Sequence, residues 1–495
     1  MIEASSHPQN GGVDATEIKM SGQSTSNRMS GRISLLELLS TVLAYSAPVA
    51  VVSGFIPFVI IFDGVGAPMV FLVAMLMMLL FAVGFTTMTR YVPNPGAFYA
   101  YITAGAGRTP GLGGAFLAIF GYLLLAFCTF PFIGVNFNAL VTNTFGGPEL
   151  PWYCYGFLSW AICGALSYLR IDLSTKVLTV AMALEVLIVM VFNASVLVQC
   201  CPECFSAAPF TWTSFSSGSI GISVLFAVTC FIGFEATAIF RDEVRNPERN
   251  VPLAAYLAVL FIGIFYALSA WLIITAVGTS AVSDLANKDP AGLFSAAVMQ
   301  YVGKTGVDIV RLLLVTSIFA SALSGQNIVS RYLFTLGNDG VLPKTLAKIH
   351  PRHKSPCVAA LTVSAIWLVL MLVFIYLKTD AALLYGRVAG VGGFAILLLM
   401  LFTSASVVIF FKRHAGPVTA SKWHTLIAPS LATVALAVIV FLAISNFDLL
   451  IGGDKTDALI LQIVTWGVFL SGMLLATYYK RTRVATYKCI GGSAL

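Results

Sequence analysis

Charge is what this sequence has least of. Only 10% of its 495 residues are Asp, Glu, Lys or Arg, against about 25% in a soluble globular protein. There are five histidines, so acid–base equipment is scarce, and nothing in the chain has the pattern of a P-loop, a hydrolytic triad or a paired zinc motif. The 28 basic residues are scattered through loops rather than clustered, which is not a nucleic-acid footprint. A cytosolic enzyme, a disulfide scaffold and a nucleic-acid binder are excluded on these grounds. Nine cysteines are present. Most stand in apolar runs, where small apolar packing accounts for them. Cys200, Cys201 and Cys204 form a lone C-C-P-E-C run, weak as a metal signature and compatible with a local disulfide or with free thiols. No metal site or cofactor is expected.

What is there is hydrocarbon. Hydrophobic residues make up 58% of the chain, and they come in runs of the roughly 20 residues that a bilayer crossing requires. The runs fall at about 34–62, 67–89, 111–140, 151–169, 176–199 and 219–241, then 252–278, 306–335, 357–377, 381–411, 424–446 and 457–480. The fold class expected is an all-α polytopic membrane protein with twelve transmembrane helices. Residues 1–31 read as a disordered cytoplasmic tail and 481–495 as a second tail. Among Lys and Arg, only Lys288, Lys304, Lys378 and Lys455 fall in one set of loops, with Arg311 and Arg387 just inside helix ends; the others lie in the tails and the opposite loops. That bias places both termini in the cytoplasm, with the lipid bilayer as the surrounding partner.

Two runs carry interruptions. The first contains Ser46-Ala47-Pro48-Val49-Ala50, and Pro48 removes a backbone donor and clashes with the turn before it. The sixth contains Thr229-Cys230-Phe231-Ile232-Gly233-Phe234-Glu235, where Gly233 weakens the helix and Glu235 needs a polar neighbour. Interrupted helices in corresponding halves point to a central binding site, because a break exposes amides and carbonyls at mid-membrane. In the fifth run Glu185 stands nine positions past Lys176, roughly 14 Å into the bilayer at about 1.5 Å per residue. Its helical neighbours Ala181, Met182, Ile188 and Val189 are apolar. An acid at that depth is a functional candidate by default. Glu37, at the start of the first run, reads as a solvated or capping residue, and Arg387 as a side chain reaching the surface near Tyr385.

Three blocks carry a resemblance. Phe231–Glu235 followed by Asp242–Pro252, Arg90–Tyr99, and Ser330–Pro343 followed by Ser355-Pro356 resemble signatures of the amino acid–polyamine–organocation transporters. The resemblance covers roughly residues 32–480. It implies a five-plus-five inverted repeat, 32–199 and 219–411, with two further helices in 424–480. It also implies alternating access for a small-molecule amino acid or amine, driven by protons, sodium or exchange. By the same resemblance the substrate amino group sits on carbonyls of Thr229, Cys230 and Ile232 beside Gly233, and its carboxylate on amides around Ser46 to Ala50. Where many relatives have Gly-x-Gly, this chain has Pro48-Val49-Ala50, one donor fewer, and bacterial putrescine permeases are similar to it there; a polyamine is therefore the alternative substrate. Aligned tryptophans of arginine–agmatine exchangers are replaced by Thr229 and Gly325, which removes a surface for a guanidinium. Ser321, Ser324 and Gly325 either leave room for a neutral side chain or pack helices. Glu235 is implied on the inner gating path. Glu185 is implied at a place where relatives can carry a lysine between helices one, five and eight, and is expected to take a proton as the coupling group. A channel, a membrane sensor and a membrane-embedded enzyme are the competing classes.

Overall fold

The computed structural model describes residues 33–92, 97–169, 175–200, 205–239, 241, 244–353, 355–413 and 420–492. The expected tail 1–31, the middle of the Arg90–Tyr99 block, Cys201, Cys204, Asp242 and Glu243 lie outside the described residues. Among those described, the regular structure is helical apart from one isolated bridge, Ile33 to Val244. In chain order the helices are α1 (Leu35–Ser46), α2 (Pro48–Asp63), α3 (Ala67–Tyr91), α4 (Ala97–Ala106), α5 (Arg108–Phe127), α6 (Thr129–Phe145), α7 (Trp152–Leu169) and α8 (Thr175–Gln199). There follow α9 (Trp212–Phe215), α10 (Ile220–Thr229), α11 (Ala236–Ile239), α12 (Pro247–Val277), α13 (Val282–Lys288) and α14 (Leu293–Tyr301). The last set is α15 (Lys304–Asn338), α16 (Cys357–Tyr376), α17 (Ala381–Arg413), α18 (Ala428–Ser445), α19 (Phe447–Ile451), α20 (Lys455–Thr482) and α21 (Val484–Cys489).

Every apolar run read from the sequence falls on a helix or a broken pair of helices. Nine helical stretches among the described residues are long and apolar enough to cross a membrane. One of them, Pro48–Tyr91, joins two runs, because only the 3-10 turn Gly64–Gly66 separates α2 from α3. The sixth run falls short because its helix stops after ten residues, at Thr229. The third run is divided, at Cys128, into α5 and α6. Large apolar side chains stay exposed along α8, α16, α18 and α20, among them Leu187, Leu372, Val434 and Leu474. A surface of that kind suits lipid rather than water. This is a multi-pass membrane protein.

Inside the bundle, α3 packs on α12, and α5 on α17 and α20. Small residues let helices approach closely: a Cβ on Gly472 of α20 would lie 2.8 Å from the Gly113 Cα of α5, and one on Gly105 of α4 would clash with the Ser406 carbonyl of α17. At the start of α1 the Glu37 carboxylate accepts the Ser34 amide at 2.7 Å and the Ser34 hydroxyl accepts the Glu37 amide at 3.3 Å. That is a capping box, the capping role expected. Arg387 reaches from α17 to the Gly452 carbonyl at 3.0 Å. The Cys200 thiol lies 3.8 Å from the Tyr301 hydroxyl.

The carboxyl end, read from the sequence as a tail, packs back on the bundle. Ile490 is wholly buried with Tyr99, Leu336 and Val341, and the Tyr479 hydroxyl donates to the Val341 carbonyl at 2.9 Å. The Gly491 amide donates to the Tyr99 hydroxyl, which in turn donates to Asp339 Oδ2 at 3.4 Å. Burial raises the Asp339 carboxyl from 3.8 to about 6, against the opposing pull of the Tyr99 bond. A raised carboxyl holds a proton in the docked form that it loses when solvated, so docking is favoured at low pH and the gain fades as pH rises through about 6. Hydrogen exchange at Gly491, corrected for its intrinsic pH dependence, should therefore be slower near about pH 5 than near about pH 8. Asp339→Asn should flatten that dependence. A native profile that is already flat would contradict the assignment.

Candidate substrate site at two helix breaks

Ala47 alone separates α1 from α2, and it stands at φ 47° in the left-handed region. The cause is Pro48, which disfavours helical geometry in the residue before it and is itself well placed as the first residue of a new helix. The new amino end has orphan amides. Val49 N–H donates to Glu185 Oε2 of α8 at 3.2 Å, and the Ser317 hydroxyl of α15 donates to the same oxygen at 2.8 Å. Glu185 is 5% exposed. The buried acid singled out in the sequence thus bridges α2, α8 and α15, which correspond to runs one, five and eight. A carboxylate at a helix amino end is favoured by the exposed N–H groups and the helix dipole. On the other side of the break, Ser46 Oγ and Tyr266 Oη of α12 lie 2.7 Å apart.

The second break runs from Cys230 to Glu235. The amides of Cys230, Phe231 and Ile232 turn back to carbonyls three residues earlier, at 3.0 to 3.2 Å. Gly233 then takes φ 113°, a conformation that disfavours any side chain. Its amide donates to Glu235 Oε2 at 2.8 Å, and the Tyr122 hydroxyl of α5 donates to Glu235 Oε1. Tyr122 stacks on Tyr332 of α15. Glu235 therefore holds the unwound segment and ties it to α5. The side chains of Thr229 and Cys230 bond back to the Leu225 and Phe226 carbonyls, so what this break offers a ligand is backbone.

Ser321 and Ser324 are half-buried, four and seven positions beyond Ser317 on α15, and so on its face. Gly325 is a packing position: a Cβ there would lie 2.3 Å from that of Ala126. Toward the face carrying α9 and α13 the breaks are sealed by aromatics. Phe58 and Phe62 both stack on Phe226, at 5.4 and 5.6 Å, and Phe132 stacks on Tyr385 at 4.3 Å. The cavity left between Ser53, Gly54, Phe132 and Tyr385 is about 10 Å³, room for about one water and no amino acid.

The amino acid permease family matches residues 36–469. The chain belongs to that family, within the amino acid–polyamine–organocation superfamily. Among its relatives is a branched-chain amino acid permease of Bacillus subtilis, 26% identical over 60% of this chain and 65% of that one. A low-affinity putrescine importer of Escherichia coli is 23% identical over 68% and 73% of the two chains. A putrescine transporter of Haemophilus influenzae is 30% identical over 32% and 35%. The chain thus aligns with just under two thirds of the first relative's length. In this chain the breaks and the buried acids Glu185 and Glu235 were readable from sequence, whereas Tyr266, Ser317, Tyr122 and the aromatic seal were not. For the seal a signal existed, the i, i+4 spacing of Phe58 and Phe62 toward the far end of α2.

Gly54 tests how tight the seal is. A Cβ there would fall 2.5 Å from the Tyr385 hydroxyl oxygen and 3.0 Å from the Phe132 ring. Gly54→Ala should destabilise this sealed form by about 1–3 kcal/mol, as overpacking does, and lower the Tm in detergent. Adding Tyr385→Phe should restore part of the loss. An unchanged Tm in Gly54→Ala would contradict the packing described.

Proposed function

We propose that this permease is a secondary active transporter of amino acids across the cytoplasmic membrane, working by proton-coupled alternating access. In this reading the chain crosses twelve times as a five-plus-five inverted repeat with two added helices. Both termini are cytoplasmic, and the face carrying α9 and α13 is the outer one. The substrate lies between the breaks, against Ser46, Ala47, Pro48, Val49 and Ala50 on one side and Thr229, Cys230, Ile232 and Gly233 on the other. Glu185 and Glu235 couple and gate, and Ser321 and Ser324 line the path.

The observation that carries the coupling is the double bond acceptance at Glu185. An ionised carboxylate accepts from Val49 N–H and Ser317 Oγ together, and charge-assisted bonds of this type are roughly twice as strong as neutral ones. A proton on the carboxyl weakens both. Proton binding therefore loosens α2 from α15, which is where an alternating-access carrier of this kind must move. The proton is taken up from one side with the clamp closed and leaves as the clamp re-forms.

A second reading, a polyamine or other amine permease, is favoured by one specific feature. Pro48 has no amide hydrogen, and the next amide, Val49, is already given to Glu185. The cradle for a substrate carboxylate is short of both, while the carbonyl side suited to an ammonium group is untouched by that shortage. The putrescine importer and the putrescine transporter among the relatives are in keeping with this alternative.

Glu185→Gln in proteoliposomes with an imposed pH gradient separates coupling from binding. Gradient-driven accumulation should fall to the level seen without a gradient, while exchange of labelled for unlabelled substrate persists. Accumulation that remains gradient-driven in Glu185→Gln would contradict the coupling role.

A further inference from the structure

At the end of α2 away from the break stands a third buried acid, which the coupling scheme does not use. Asp63 is 1% exposed, and neither carboxyl oxygen has a hydrogen-bond partner among the described residues. Close around it are Gly66, Gly218 and residues of the α9 loop. A Cβ on Gly66 would clash with Asp63 Oδ2 and lie 2.6 Å from the Ser214 carbonyl oxygen, so the chain closes tightly around the carboxyl only because that residue is glycine. The Ser219 hydroxyl, beside them, is also buried without a partner.

The nearby carbonyls are already engaged. Ser214 O accepts the Ser217 amide at 3.2 Å and its hydroxyl at 2.7 Å, and Phe62 O accepts the Ser219 amide at 2.8 Å. A metal ion would find one carboxylate and one hydroxyl, well short of the six or more oxygens typical of a hard cation. Nor does a charged side chain among the described residues neutralise the group. α2 has no other charge, 64–66 and 205–220 have none, and α3 has only Arg90 at its far end. On α13 and just past it, Asp284, Lys288 and Asp289 are exposed, and none of them is bonded to Asp63. An ion left bare in this setting is costly. A proton removes that cost and needs no coordination shell.

We propose that Asp63 is a proton-binding site distinct from Glu185, loaded when the α9 and α13 caps close over the end of α2 and emptied when they lift. The proton comes from, and returns to, the water on that face; no other bond changes. From Val49 to Asp63 is roughly 21 Å of helix at about 1.5 Å per residue, so the two acids do not exchange a proton directly. The site stands whether or not Glu185 couples transport.

Infrared difference spectra of the full chain in liposomes, recorded between acid and alkaline pH, read the site directly. A carboxylic acid carbonyl band should be lost in Asp63→Asn and kept in Glu185→Gln, and in Asp63→Glu it should shift rather than vanish. In Gly54→Ala, which props the seal open, the same band should titrate at lower pH. A spectrum unchanged by Asp63→Asn, a band removed by Glu185→Gln alone, or no shift in Asp63→Glu would overturn the proposal. A Gly54→Ala titration identical to the native one would overturn its link to closure. If Asp63→Asn does not fold, Asp63→Glu decides the matter alone.

Discussion

A helix that stops inside an apolar bundle strands its amides where no water can reach them, and that constraint organises the centre of this protein. Val49 N–H is such an amide, and Glu185 answers it from another helix. The solution is economical in groups but not passive. By accepting the Ser317 hydroxyl on the same oxygen, the acid makes the amino end of α2 dependent on α8 and α15 together. Satisfying one stranded donor has thereby linked three helices through a group that can gain or lose a proton.

The second break is handled by the same chemistry with different partners. Glu235 accepts the Gly233 amide from its own segment and the Tyr122 hydroxyl from α5. Each break is thus closed by a carboxylate with one bond to a break amide and one to a hydroxyl on a distant helix. Such joints are strong while ionised and weak when neutral. The seal above them is of another kind. Phe58, Phe62 and Phe226 hold by stacking and area, with a backbone bond beside them from Ser219 N–H to the Phe62 carbonyl.

Composition and run length were enough to read the all-helical membrane architecture, because a bilayer permits few alternatives. Pro48 and Gly233 marked the breaks for reasons that are local to the chain, φ restriction in one case and helix propensity in the other. Glu185 was conspicuous because its own helix offered it nothing. Its partners were not legible: Val49 lies 136 residues away and Ser317 lies 132 away, and nothing in either neighbourhood signals the pairing. The same holds for Ser46 with Tyr266, 220 residues apart. The docking of the carboxyl end was not legible within 481–495, because it rests on Ile490 filling a site made by Tyr99, Leu336 and Val341, none of them near it in sequence. The ambiguity of Gly325 was likewise a question of neighbours, and Ala126 answers it.

The central claim is that two broken helices hold an amino acid or amine in a carrier, and counterflow tests it most directly. Proteoliposomes containing the full chain are loaded with an unlabelled amino acid or diamine and diluted into a trace of the labelled compound, across a panel of both classes and without any ion gradient. The account predicts transient uptake of label above equilibrium for at least one neutral amino acid or one diamine, abolished when the inner pool is omitted. No counterflow with any member of the panel, or label that merely equilibrates as through a pore, would contradict it.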